Sequence, residues 1–162
     1  MKKILITGGA GYIGSCLSKI LLANKYKVII VDNLKTSNNE VIKKIKTKNL
    51  IFYKSSINEI KILKKIFEKE QVDFVVHLAA IVGDPACKIE PRLAIDSNFK
   101  SSKKFFNLCV KNKVKKFIFA STCSNYGKVN KNVLANEETK LKPLSLYAKL
   151  KVNYEKFLIQ LN

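Results

Sequence analysis

No apolar run in this chain of 162 residues approaches the roughly 20 residues a helix needs to cross a bilayer. After Met1-Lys2-Lys3 come only four apolar-leaning residues before a glycine turn, too few for the apolar core of a secretory signal. Both absences lead to the expectation of a cytoplasmic protein without membrane attachment. Cysteine is sparse: Cys16, Cys87, Cys109 and Cys123 are too irregularly spaced for a disulfide framework or a zinc site. They are expected as buried or partly buried free thiols. Histidine occurs once, as His77, with no Asp or Cys at ligand spacing, so it reads as a hydrogen-bonded residue at a strand end and no metal is expected. Linkers, low-complexity tracts and internal repeats are missing too. With 47% hydrophobic residues, the chain reads as a single domain over 1–162.

Acidic residues are few, 12 against 31 Lys plus Arg, which leaves a formal charge of +19. A concentrated basic face would attract a phosphate backbone. Here nearly every base is a lysine, with Arg92 the sole arginine, and the lysines are scattered over almost every segment. Base-reading proteins favour arginine for bidentate contacts. No specific nucleic-acid partner is expected, although a positive field draws in anionic cofactors and nucleotides.

What the chain does contain begins at residue 7. Thr7-Gly8-Gly9-Ala10-Gly11-Tyr12-Ile13-Gly14 follows the apolar run Ile4-Leu5-Ile6, and Asp32 stands eighteen residues past Gly14. A strand-to-helix turn of this kind brings bare backbone N–H groups against a pyrophosphate, which Gly8, Gly11 and Gly14 permit because a Cβ would hold the phosphates away. In the helix that follows, Ile13, Leu17, Ile20 and Leu21 recur at helical spacing and are expected as one buried stripe. Asp32 ends the second strand, Lys27-Val28-Ile29-Ile30-Val31, where a carboxylate accepts the hydroxyls of an adenosine ribose and repels a 2′-phosphate. The cofactor this favours is NAD over NADP.

Strand patterns fall near 3–7, 27–32, 50–54, 73–78 and 116–121. Helical patterns lie between them, one over roughly 58–69, a longer one over roughly 90–112 and a last one from near Ser145. Apolar strands alternating with helices imply an α/β fold, a doubly wound parallel sheet of Rossmann type, with ligands beyond the carboxyl ends of the strands. The fourth strand runs out into His77-Leu78-Ala79-Ala80, small enough for a cofactor to lie across. The fifth runs out into Ser121-Thr122-Cys123-Ser124-Asn125-Tyr126-Gly127, dense in hydroxyls. Tyr147 and Lys151, four apart, share one face of the last helix. A phenol ordinarily titrates at about 10, and a neighbouring ammonium is expected to lower that value and make Tyr147 a usable base.

Together these segments resemble the extended short-chain dehydrogenase/reductases, specifically the NAD-dependent epimerase/dehydratase family that acts on nucleotide sugars. The matching pieces, at 7–14, 31–34, 77–80, 121–127 and 147–151, appear in family order. The resemblance implies that Thr122 holds the reacting hydroxyl, that Tyr147 is the catalytic base, and that Lys151 tunes Tyr147 and holds the nicotinamide ribose. It implies that Tyr12 and Ile13 lie over the pyrophosphate, that Asp32, Asn33 and Leu34 surround the adenosine, that Leu78, Ala79 and Ala80 line the cofactor, and that Asn98 supports the site. Ser56 and Ile57 fall where the family contacts the adenine, with Ser56 in place of the usual acid and hence a weaker hydrogen bond. The implied cycle is oxidation at a sugar carbon, rotation of the keto sugar and return of the hydride.

Two further departures shape the expectation. Family 4,6-dehydratases carry an Asp-Glu pair after the catalytic Thr, where this chain has Cys123 and Ser124. Without those carboxyls dehydration lacks its general acid, so an epimerase or dehydrogenase is expected instead. The chain also stops one helix after Tyr147, whereas the family adds a small substrate domain. The expectation is therefore a truncated or split enzyme whose substrate domain is absent, with a homodimer or a complementing chain as partner. The alternative is a non-catalytic NAD-binding module or sensor.

Overall fold

The computed structural model describes residues 1–37, 40–45, 47–128 and 134–161. It parts into two compact units, one of Met1–Ala79 with Lys103–Ala120 and one of Ala80–Ser102 with Ser121–Asn162.

The first unit is a five-stranded parallel sheet: β1 (Lys3–Thr7), β2 (Lys27–Asp32), β3 (Leu50–Lys54), β4 (Phe74–His77) and β5 (Lys116–Phe119). Its strand order is β3-β2-β1-β4-β5, with all four pairings parallel. Side chains of each strand alternate between two apolar clusters, as the period of two in an extended chain requires. Leu5, Ile29, Val31 and Val75 enter one cluster, closed by Leu63, Ile66 and Phe67 of α3 (Ile60–Glu70, after the short α2 at Glu40–Lys43) and by Phe105, Leu108 and Cys109 of a later helix. Ile4, Ile6, Val28 and Ile30 enter the other, packed by Leu17, Leu21 and Leu22 of α1 (Tyr12–Ala23). Both sheet faces are therefore covered, as the doubly wound pattern of the sequence requires. Each fully buried Leu, Ile or Val stabilises the fold by about 1.5–3 kcal/mol.

The stripe expected on α1 is corrected. Ile13 and Ile20 are 62% and 60% exposed, and the buried residues are Gly14, Ser15 and Ser18. The helix turns its small side chains inward, which brings its backbone close, and leaves Leu17 and Leu21 on the flank. The Ser18 hydroxyl is satisfied by donating to the Gly14 carbonyl at 2.7 Å.

The second unit holds α4 (Asp84–Ile89), α5 (Pro91–Ile95), a π-helical segment (Asp96–Ser101), a 3-10 turn (Cys123–Tyr126) and α7 (Leu146–Ile159). The segment read as one helix over 90–112 is thus α5, the π-segment and α6 (Ser102–Lys111). Ser102 Oγ donates to the Ser97 carbonyl at 2.8 Å, and Tyr154 of α7 donates to the Ser102 carbonyl at 2.9 Å. These bonds tie the π-segment and the start of α6 to side chains of this unit. Ser145 caps α7 by accepting the Ala148 N–H at 3.1 Å. Tyr147, Leu150, Cys87 and Ala94 form the apolar centre of this unit.

Candidate functional site

The strand order reverses between β1 and β4, and the glycine turn leaves β1 at that point. Gly8 has φ +72°, and a Cβ there would stand 2.8 Å from the Ala79 nitrogen. A Cβ on Gly14 would stand 2.5 Å from the Gly8 carbonyl oxygen, so the turn folds back on the first turn of α1 with no room for a side chain. A Gly14→Ala substitution is expected to force that backbone apart. Its overpacking cost of about 1–3 kcal/mol exceeds alanine's helix preference of about 1 kcal/mol. The predicted result is a thermal midpoint several degrees lower, checked by circular dichroism melting.

What the turn leaves open is the N-terminus of α1. Gly11 caps it without a side-chain bond, and its first turn contains no acidic residue. The forward N–H groups of α1 therefore have neither a side-chain cap nor an acid in their own first turn, as an anion site requires, and the one carboxylate near them, Asp32, is bound to the Ala10 N–H just before the helix. Tyr12, 87% exposed, and Ile13 stand at this end.

Thr7, which the sequence reading passed over, braces the turn. Its hydroxyl lies 2.7 Å from His77 Nδ1 and accepts the Ala79 N–H at 3.3 Å, while its carbonyl accepts the Leu78 N–H at 3.0 Å. The signal was a threonine, with its side-chain oxygen, placed where an apolar strand meets glycine. His77 is the hydrogen-bonded residue at a strand end that the sequence leads one to expect, and it is also buried, in a nest of Phe105, Phe117 and Phe119.

Asp32 is buried at the end of β2. Its Oδ1 accepts from the Leu34 N–H at 2.8 Å and the Ser37 hydroxyl at 3.0 Å, and its Oδ2 accepts the Ala10 N–H at 3.0 Å. Spare acceptor capacity thus lies mainly on Oδ2. Leu34 is held in the left-handed region, φ +60°, and the exposed Asn33 accepts the Lys35 N–H at 3.0 Å. After β3, Ile57 is buried in the core. The Ser56 N–H and Ser55 hydroxyl both donate to Glu59, at 2.7 and 3.0 Å, which holds that carboxyl below its usual range.

In the second unit, Asn98 is buried and grips the Ile81 backbone with both ends of its amide, accepting the N–H at 2.7 Å and donating to the carbonyl at 2.9 Å. This fixes the chain just after Ala80. Thr122 caps the 3-10 turn by accepting the Ser124 N–H at 3.2 Å, which leaves its hydroxyl proton to donate to a ligand. Tyr147 and Lys151 are 8% and 4% exposed, with the ammonium 5.8 Å from the centre of the Tyr147 ring.

The electrostatics correct one expectation. Burial pushes the Tyr147 phenol up, with the neighbouring Cys87, Cys123 and Asp84 acting in the same direction, instead of Lys151 pulling it down. Burial also pushes Lys151 down to about 8, against the opposing pull of Glu155 and Cys87. Both follow from one cause, because removing either group from water disfavours its charged form. The thiols differ from expectation as well: Cys87 and Cys109 are buried, while Cys16 and Cys123 are exposed. Among the described residues no cluster of three or more metal-ligating side chains occurs, and no helix is long and apolar enough to cross a membrane.

The model of the NAD dependent epimerase/dehydratase family matches residues 4–162. The dTDP-D-glucose 4,6-dehydratase of Dictyostelium discoideum is 35% identical over 96% of this chain and 39% of its own length. Among solved structures, the UDP-glucose 4-epimerase of Thermotoga maritima with UDP-glucose superposes with a TM-score of 0.89 at 34% identity, covering 98% of this chain and 50% of that one. The Thermus thermophilus UDP-glucose 4-epimerase in complex with NAD gives 0.90 at 29% identity, covering 98% and 50%. The chain therefore spans between about two fifths and one half of these relatives. With a match that takes in both the glycine turn and the Tyr147–Lys151 helix, the chain belongs to the NAD-dependent epimerase/dehydratase family.

Proposed function

We propose that this chain carries the cofactor-binding and catalytic part of an NAD-dependent nucleotide-sugar epimerase or dehydrogenase. The observation that carries this reading is Lys151: a lysine almost wholly buried, one turn from a buried tyrosine and pushed down to about 8 by that burial. The glycine turn fits the cofactor, since it presents open helix N–H groups for a pyrophosphate and Asp32 for a ribose hydroxyl. NAD, when bound, takes up a hydride from a sugar carbon and returns it.

The remaining steps belong to the protein. Thr122 donates its hydroxyl proton to the reacting sugar oxygen and orients it. Tyr147 takes the proton from that hydroxyl as the carbon is oxidised, and gives it back on reduction. Tyr147 stands in the first turn of α7, where the positive end of the helix dipole works against the burial that raises its phenol. The apolar wall of Leu150 and Ala94 beside Tyr147 keeps water from competing for the proton. Cys123 and Ser124, exposed beside Thr122, supply no carboxyl for eliminating water, which favours epimerase or dehydrogenase chemistry over dehydration.

The reading is tested by melting the purified chain with and without NAD, then supplying UDP-glucose or dTDP-glucose and following the sugar products and NADH absorbance. A rise in midpoint with NAD, in proportion to the logarithm of its concentration, together with sugar conversion, is the expected result. No rise would sink the cofactor assignment. A rise without conversion would favour a binding module, a role that leaves Lys151 unexplained.

A further inference from the structure

In the second unit one carboxylate reaches toward both of the segments that carry the proposed chemistry. Glu155 follows Lys151 by four residues and Tyr147 by eight on α7, so the three side chains fall along one helix face. Both Glu155 oxygens accept from Asn125 Nδ2, each at 3.2 Å, and the same Nδ2 donates to Ser121 Oγ at 2.9 Å. Asn125 is the hub of the turn that Thr122 caps. Its N–H donates to the Thr122 carbonyl at 3.3 Å, and its own carbonyl accepts the Lys142 N–H at 2.9 Å.

The Asn125 side chain is buried, and its Oδ1 has no partner among the described residues. A buried amide oxygen left in that state destabilises the fold. Turning the amide over would set the oxygen against the Glu155 carboxylate and leave the NH2 group stranded, so the bond to Glu155 fixes its orientation. An apolar side chain would fill the same space without that cost, which leaves the tie to α7 as what asparagine contributes here.

We propose that Glu155 is a positioning residue: through Asn125 it fastens the Thr122 turn to the helix face that carries Tyr147 and Lys151. The assignment rests on the reading of those three residues given above. The same carboxylate also favours the charged form of Lys151, with a smaller contribution from Cys87 of α4. The other groups at this place are the Tyr147 ring over which Lys151 lies, and Asp84 and Cys123, which act on Tyr147. One side chain thereby aligns the hydroxyl that holds the sugar with the pair that moves its proton, and favours the charged form of Lys151.

Two variants separate the two actions. Glu155→Ala removes both acceptor and charge, while Glu155→Gln keeps an acceptor for Asn125 and removes only the charge. Amide hydrogen exchange in the full chain is expected to quicken roughly tenfold at Asn125 and Lys142 in Glu155→Ala and to return to the parental rate in Glu155→Gln. The titration of the Lys151 side chain, followed by carbon NMR of labelled lysine, is expected to fall by about one pH unit in both. In turnover, both should move the alkaline limb of kcat to lower pH, and only Glu155→Ala should also lower the plateau. Unchanged exchange in Glu155→Ala, or a Lys151 titration unmoved in both variants, overturns the proposal. A parent chain that converts no nucleotide sugar overturns the functional reading instead, and the exchange and titration results still decide whether Glu155 makes this tie.

Discussion

Replacing Tyr147 by phenylalanine is expected to lower nucleotide-sugar turnover by a factor of roughly 10²–10⁴ while leaving the stabilisation by NAD intact. The ring packs with Leu150, Cys87 and Ala94, and phenylalanine keeps all of that surface. Only the hydroxyl is lost, the group proposed to take a proton from the sugar. Burial already pushes that phenol above its ordinary value, so in the free chain it is protonated at neutral pH and removing it leaves no charge uncompensated. The variant should therefore melt at or slightly above the parental temperature. The measurement is kcat from the sugar products, beside melting curves with and without NAD. Turnover within tenfold of the parent would take Tyr147 out of the chemistry, and loss of the NAD response would mean that the substitution had disturbed binding.

Lys151→Met should have the opposite pairing of effects, with activity abolished and the free chain made more stable. A lysine that titrates at about 8 when folded and at about 10.4 when unfolded opposes folding by about 3 kcal/mol at neutral pH, and methionine fills similar volume without a charge. Below about pH 8 the lysine is charged in both states, and the folded chain bears the full cost of burying it. Between about 8 and 10.4 the unfolded chain binds more protons than the folded one, so parental stability rises with pH. Above that window both forms are neutral and the cost is gone. The advantage of the methionine variant is thus largest at neutral pH and closes by about pH 10.4. In a chain of this size it amounts to a midpoint higher by roughly 5–10 °C at pH 7, read from melting curves across pH. An equal or lower midpoint at pH 7 would show that Lys151 has compensating partners that make it stabilising.

The sheet was legible because each strand is a short β-branched or apolar run closed by polar residues, and all five form within two residues of their expected limits. Helix existence was legible too, but which side a helix buries was not always. On α1 the large residues suggested a stripe through Ile13 and Ile20, whereas Gly14, Ser15 and Ser18 face inward, because close approach of the backbone outweighs burial of two isoleucines at that end. No propensity marks the π-segment at Asp96–Ser101, whose support comes from the distant Tyr154. The helices Glu40–Lys43 and Asp84–Ile89 are too short to show a period. At the candidate site the residue types and the spacing of Tyr147 and Lys151 could be read, while the direction of their titration could not, since burial is a property of the packed unit. Thr7 and Asn125 were missed as supports because their partners lie 70 and 30 residues away.

Asp32 couples coenzyme preference to loop architecture. The carboxylate proposed as the ribose clamp is also a rivet, joining the Ala10 N–H of the glycine turn to the Leu34 N–H and Ser37 hydroxyl of the segment that leaves β2, where Leu34 takes a conformation leucine rarely adopts. An engineer seeking to admit a 2′-phosphate would begin by removing this charge, and would release both loops in the same stroke. Changing the preference of this chain therefore means rebuilding two loops together, and that interdependence guards its choice of nucleotide against single substitutions.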